Sequence, residues 1–240
     1  MIFLMKAFTA ICLAQAAGLN PALPVLIVAT LAACGDMFTS RGLTAPVVLP
    51  PELMFAATWW GLAIIIVINV IEFAGDKIQG LDNIKHSIID PFSSVLSSVF
   101  LTVSIMGEPM GDLLKSGKET IGAIPSGLCM IGLIDGGAAF WVGMVLFTAV
   151  CVSITLFFLA MKALLRYFIS VIPDMGISNI IVSFLEDCLA FINVILAIFL
   201  PVFGVIVTVI LGVTAFFAAR TMKRKIAAIL KKNRPAEAAV

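Results

Sequence analysis

Gly80-Leu81-Asp82-Asn83-Ile84-Lys85-His86-Ser87-Ile88-Ile89-Asp90 returns, at one constant offset, as Gly176-Ile177-Ser178-Asn179-Ile180-Ile181-Val182-Ser183-Phe184-Leu185-Glu186. Gly80 pairs with Gly176, Asn83 with Asn179, Ile84 with Ile180 and Ser87 with Ser183. Asp90 pairs with Glu186, so the carboxylate is kept while the residue type changes. Each copy opens with Gly and an Asp or Ser, residues that end one helix and cap the next. On the helix after each cap, Asn, Ser and the carboxylate stand at i, i+4 and i+7 and project from one face. The residues after both copies are overwhelmingly apolar, so the same polar stripe is expected to enter a membrane twice.

Composition supports that setting. Hydrophobic residues make up 62% of the chain, against roughly 45–50% in soluble domains. Runs without Asp, Glu, Lys or Arg extend from Ala7 to Gly35, Leu53 to Ile71, Gly136 to Met161 and Cys188 to Ala219. Each is long enough to cross a hydrocarbon core of about 30 Å at 1.5 Å per residue. The net charge of +1 removes any bulk attraction for nucleic acid. Cys12, Cys34, Cys129, Cys151 and Cys188 are isolated in apolar segments and read as small packing residues. A single histidine, His86, excludes multi-histidine zinc or haem ligation by this chain, and no cofactor or metal site is expected. No nucleophile-and-base constellation, P-loop or dinucleotide fingerprint is present, so enzymatic activity is not expected.

The chain divides at its breaks. Ala7–Cys34 is interrupted by Gly18-Leu19-Asn20-Pro21, where Asn20 can cap and Pro21 suits a first turn. That break leaves two short apolar pieces, which read either as a re-entrant hairpin or as two thin crossings. Asp36–Glu52 reads as a loop, and Leu53–Ile71 as a spanning helix with Trp59 and Trp60 near its entry. The first polar-stripe helix is expected from Asn83 to Ile105, then a polar connector, Gly107–Glu119. Thr120–Ile134 is a short piece interrupted by Gly and Pro. A long helix then runs from Gly136 to Tyr167, ending in Lys162 and Arg166. The second stripe helix extends to Leu200, and Pro201 opens the last one. Residues 1–110 thus form a first membrane repeat, 111–222 a second repeat plus the final helix, and 223–240 a basic tail. The tail's Lys and Arg residues set the C-terminus in the cytoplasm by the positive-inside rule. Working back from there places the Pro201 corner outside and the Arg166–Gly176 loop inside. If Thr120–Ile134 crosses once, the repeats are inverted, with the N-terminus inside. If it is re-entrant, they are parallel.

Gly18-Leu19-Asn20-Pro21, then Glu72-Phe73 with Asp76-Lys77-Ile78 and Asp82, then Asp90-Pro91, and finally Ser178-Asn179-Ile180-Ile181-Val182-Ser183-Phe184-Leu185-Glu186-Asp187 resemble the motifs of a bacterial multi-pass membrane family classed as a domain of unknown function. The resemblance extends from Ala10 to Ile210. Val171-Ile172-Pro173 departs from it where a Ser-Pro pair is expected. It implies a polytopic architecture in the bacterial inner membrane and carries no chemistry of its own.

The candidate site residues are Asp90, Glu186 and the adjacent Asp187. A buried unpaired charge costs several kcal/mol, so an intramembrane carboxylate is protonated, paired or bound to a cation. Related by the repeat, Asp90 and Glu186 are expected to meet and to share a proton or an ion, with Asn83, Asn179, Ser87 and Ser183 supplying neutral oxygens. The structural alternative is an ion pair or an acid favouring a helix N-terminus. Secondary candidates are Glu72, Asp76 and Lys77, a charge cluster or a solvated loop edge. His86 is a proton relay or a simple hydrogen-bonding group. Asn20 either caps a helix or helps expose amides to an anion.

The expected fold is an all-α integral membrane protein of about six helical elements, with an internal, inverted duplication and broken or re-entrant short helices. The expected function is a small permease or channel-like transporter for an ion or small polar solute. Its partners would be the lipid bilayer and a second copy or a larger membrane complex. The alternative is a non-transporting scaffold whose stripes bind partner helices.

Overall fold

The computed structural model describes residues 2–42, 47–75, 89–122, 136–170 and 175–237. Asp76, Lys77, Asn83, His86 and Ser87 lie outside the described residues, as does the side chain of Asn179. The described residues form α1 (Ile2–Leu19), α2 (Ala22–Ala33), α3 (Gly35–Ser40), a 3-10 helix (Pro51–Ala57) and α4 (Trp59–Gly75). They continue as α5 (Asp90–Gly122), α6 (Gly136–Ser170), α7 (Met175–Phe199) and α8 (Pro201–Glu237). The fold is all-α and belongs in a membrane. Val142–Arg166, Ile181–Phe199 and Pro201–Ala218 are each long and apolar enough to cross a bilayer. Pro51–Ala57 and Trp59–Ala74 pass the same test only together and are bent by 66° at their join, the form of a broken span or a re-entrant loop. At that bend Thr58 caps α4, its hydroxyl accepting from Gly61 N at 3.2 Å. Trp59 and Trp60, 89% and 82% exposed, stand at the entry to α4, where an interfacial aromatic pair belongs.

The centre of the bundle is α1. Ala10, Cys12, Leu13, Ala14, Ala16 and Ala17 are fully buried, most of them small enough for neighbouring backbones to approach closely. Its alanines let four helices, α5, α6, α7 and α8, close on it. Gly18 marks the tightest approach. A Cβ there would stand 2.6 Å from Thr155 O and 2.8 Å from Phe158 Cβ.

Polar side chains set the register. The Thr9 hydroxyl donates to Ala197 O at 2.9 Å, and Asn193 Nδ2 to Cys12 O at 2.9 Å and Gln15 Oε1 at 2.8 Å. Asn20 meets Asp187, so α1 runs antiparallel to α7. Thr155 reaches Ala14 O at 2.7 Å and Lys162 reaches Leu19 O, so α6 runs parallel to α1. Gly204 stands against Cys12 Sγ and the Thr208 hydroxyl donates to Gln15 Oε1, so α8 runs in the same direction.

Three expectations are corrected. The segment Gly107–Glu119 is not a connector, because α5 continues as helix to Gly122. Asp36–Glu52 is not all loop, since it holds α3 and the start of the 3-10 helix. The third concerns topology. Thr9 packs at Ala197 beside the Pro201 corner, whereas α6 and α8 both run away from that end. The N-terminus therefore shares the Pro201 end and lies opposite the α6–α7 connection, not on the same side.

Candidate functional site

The break between α1 and α2 is the chemical centre of the molecule. A helix that stops away from water leaves carbonyls at one end and amides at the other, and an apolar surrounding satisfies neither. Here other helices supply the partners. Lys162 Nζ from α6 donates to Leu19 O at 2.7 Å. Glu72 Oε2 from α4 accepts from Ala22 N at 3.0 Å, and Asn69 Nδ2 donates to Ala22 O at 2.9 Å. Asn20 Oδ1 accepts from Leu23 N at 3.0 Å, while Asn20 Nδ2 donates to Asp187 Oδ1 at 2.8 Å. A cation thus sits at the negative end of one helix dipole and a carboxylate at the positive end of the next.

Glu186, 5% exposed, is held by cations. Arg166 Nη2 lies 2.7 Å from Glu186 Oε2, and Lys162 Nζ lies 3.6 Å from the same oxygen. Lys162 therefore ties the helix break to the Arg166–Glu186 pair. A pair this deeply desolvated returns little net stability, but losing one partner strands the other at about 3–5 kcal/mol.

Asp90 is 1% exposed at the start of α5, so both repeat carboxylates are buried. The expected meeting of the two is not formed: Glu186 pairs with Arg166 and Lys162 instead. The physical reason is α1, which packs against both α5 and α7. Asp187 joins Asn20, and Ser183 is buried one turn before Glu186, its hydroxyl without a hydrogen-bond partner among the described residues. Glu72 is no solvated loop edge; it is buried on the first amide of α2. Asn20 is a cap, and two amides of that first turn are already taken by side chains.

Lys162, Arg166, Asn69, Gln15 and Thr208 are site residues that the sequence pattern does not single out. Lys162 and Arg166 stand at i, i+4 on one helix face, and a carboxylate isolated in the next apolar helix is their natural counter-charge. That pairing is the one signal the sequence holds for them. Gln15 offers none, being a single amide in an alanine-rich run.

Two clefts flank the web. One of about 300 Å³ lies between α1, α6, α7 and α8, with Gln15, Lys162 and Glu186 in its wall. The other, of about 440 Å³, is lined by Asn20, Asn69, Phe73, Asp187, Cys188 and Phe191. Among the described residues, no group of three His, Cys, Asp or Glu side chains gathers as a metal site.

Residues 7–221 match the family described as a domain of unknown function, DUF4126. The chain belongs to this family. No curated protein and no solved structure matches it. The DUF4126 match takes in α1 through the membrane-crossing part of α8, and so includes every residue of the charged web.

Proposed function

We propose that this DUF4126 chain is a small permease or channel-like transporter for an ion or small polar solute, with no enzymatic activity. Asp90 and Glu186, both buried, and the half-buried Asp187 act as the proton- or cation-binding groups. The observation that carries this reading is the broken α1–α2 helix, with both new ends complemented by charges from neighbouring helices. Discontinuous helices with charged partners at membrane depth are how secondary transporters build solute sites. Intramembrane charges of this kind mark ion and proton pathways. The cleft at Asp187 supplies a way in.

Orientation belongs to the same proposal. Lys162, Arg166 and the basic residues from Arg220 to Arg234 all lie toward the α6–α7 end. That end faces the cytoplasm of the bacterial inner membrane by the positive-inside rule. A second reading, an accessory subunit that binds partner helices, is favoured by the exposed apolar flank of α4, including Ile64, Val67, Ile68 and Ile71. A homodimer through that flank is compatible with transport.

Cys188 separates the two readings because it lines the Asp187 cleft. In proteoliposomes, a small cationic methanethiosulfonate is expected to modify Cys188, as mapped by mass spectrometry, and Asp187→Asn is expected to change the rate. Complete protection of Cys188 from the aqueous reagent would favour the accessory-subunit reading.

A further inference from the structure

The 440 Å³ cleft beside the helix break lies between α2, α4 and α7, within the size range of small-molecule pockets. Asn20, Asn69 and Asp187 stand in its wall, together with the rings of Phe73 and Phe191. What these groups can still bind follows from what the fold has already engaged. Asn20 Nδ2 donates to Asp187 Oδ1, and Asn20 Oδ1 accepts from Leu23 N. Asn69 Nδ2 gives its two hydrogens to Ala22 O at 2.9 Å and Ile65 O at 3.3 Å. The half-buried Asn69 side chain therefore has only its oxygen left to offer. Asp187 is a half-buried carboxylate, and an ionised carboxylate only accepts. One hydrogen of the buried Asn20 amide is the remaining donor of these three side chains.

A wall of one carboxylate and one amide oxygen selects the sign and type of its ligand. An anion meets Asp187 and gains a single N–H. A divalent metal ion takes six or more oxygens, and among the described residues no group of three His, Cys, Asp or Glu gathers to supply them. A hydrocarbon chain covers the rings but brings no donor to either oxygen. An ammonium group on a hydrocarbon body meets every requirement. Its charge answers Asp187, its N–H groups serve Asp187 and Asn69 Oδ1, and aromatic rings are apolar surface that favours a nearby cation. Phe73, Phe191 and Ile192 are about half exposed, so the cleft is open on its apolar side, where the body of such a ligand would lie.

We infer that this cleft binds a protonated organic amine, its ammonium against Asp187 and Asn69 Oδ1 and its hydrocarbon body against Phe73 and Phe191. The assignment rests on the transporter reading, whose solute it narrows to a chemical class, and it is tested by binding alone.

The test uses the full chain in lipid nanodiscs and radiolabelled 2-phenylethylammonium, with empty nanodiscs as the blank for partition into lipid. Saturable binding is expected, displaced by the unlabelled amine. 2-Phenylethanol has the body without the charge, and sodium has the charge without body or N–H. Each is expected to displace the label about tenfold less well or worse, as loss of a charged hydrogen bond implies. Asp187→Asn keeps an oxygen for Asn20 and is expected to weaken binding by about tenfold or more on the same ground. Ile192→Trp fills the cleft from its exposed flank and is expected to abolish binding. No saturable binding, or binding that both variants leave unchanged, would overturn the site. Displacement by the alcohol or by sodium as strong as that by the amine would overturn the ammonium assignment. Because no flux is measured, binding without current would count against the transporter reading alone, and current without binding against this site alone.

Discussion

Gly18 shows how little room the centre of the bundle has. Its missing Cβ would press on the Thr155 carbonyl, a backbone atom that cannot swing aside. Gly18→Ala is expected to cost about 1–3 kcal/mol and to lower the thermal unfolding temperature in detergent. Gly212→Ala, whose added carbon would find only ring-edge atoms, the nearest at the tip of Phe158 at 3.7 Å, should unfold with the wild type. An equal loss in both variants would mean that α1 is not gripped at Gly18. Legibility at this scale depends on isolation and partnership. Asp90 and Glu186 stand out because each is a carboxylate in an apolar neighbourhood, and both are buried. Lys162 and Arg166, by contrast, look in the sequence like the ordinary basic end of a helix. Pairing across a hairpin depends on how deep each residue sits, and chain order does not supply that depth.

At the scale of elements, the α1–α2 break is a charge-complemented pair of helix ends. Glu72→Gln keeps an oxygen for Ala22 N while removing the charge, so for this bond it is expected to cost under about 1 kcal/mol. Glu72→Leu strands that amide in the interior and is expected to cost about 1–3 kcal/mol. Denaturation in mixed micelles distinguishes the two, and equal losses would show that charge, not hydrogen bonding, holds the break. The break itself is plain in Gly18-Leu19-Asn20-Pro21, because Pro21 cannot continue the ladder and Asn20 caps the next helix. Gly107–Glu119 is misleading for a related reason. Gly107, Pro109 and Gly111 with several charges look like a linker, yet α5 runs through them. A polar helix carries no apolar signature to announce it.

The whole molecule has its N-terminus and the end of α8 at opposite ends of the bundle. Single cysteines placed at Phe3 and at Arg234 are expected to react with an impermeant maleimide from opposite faces of oriented vesicles. Reaction of both from one face would contradict the α1–α6–α8 register. Counting crossings cannot reach this result, because the count hinges on whether Thr120–Ile134 passes through the bilayer. The side-chain bonds from Thr9 to Ala197 and from Lys162 to Leu19 decide it without that segment. An all-α membrane fold is legible from composition alone. The placing of α1 at its centre is not, since nothing in an alanine-rich apolar run says how many neighbours it will have.

The central claim is that the carboxylates Asp90, Glu186 and Asp187 carry a solute across the membrane. It is tested most directly by currents on solid-supported membranes bearing purified protein, under proton, sodium, potassium and anion gradients. Wild type is compared with an Asp90→Asn, Asp187→Asn double variant, in which the amide oxygen introduced on α7 can still accept from Asn20. The account predicts a current under at least one cation gradient that the folded double variant loses by tenfold or more. A folded wild type that passes no current under any gradient, or a double variant that conducts as well as wild type, would contradict it.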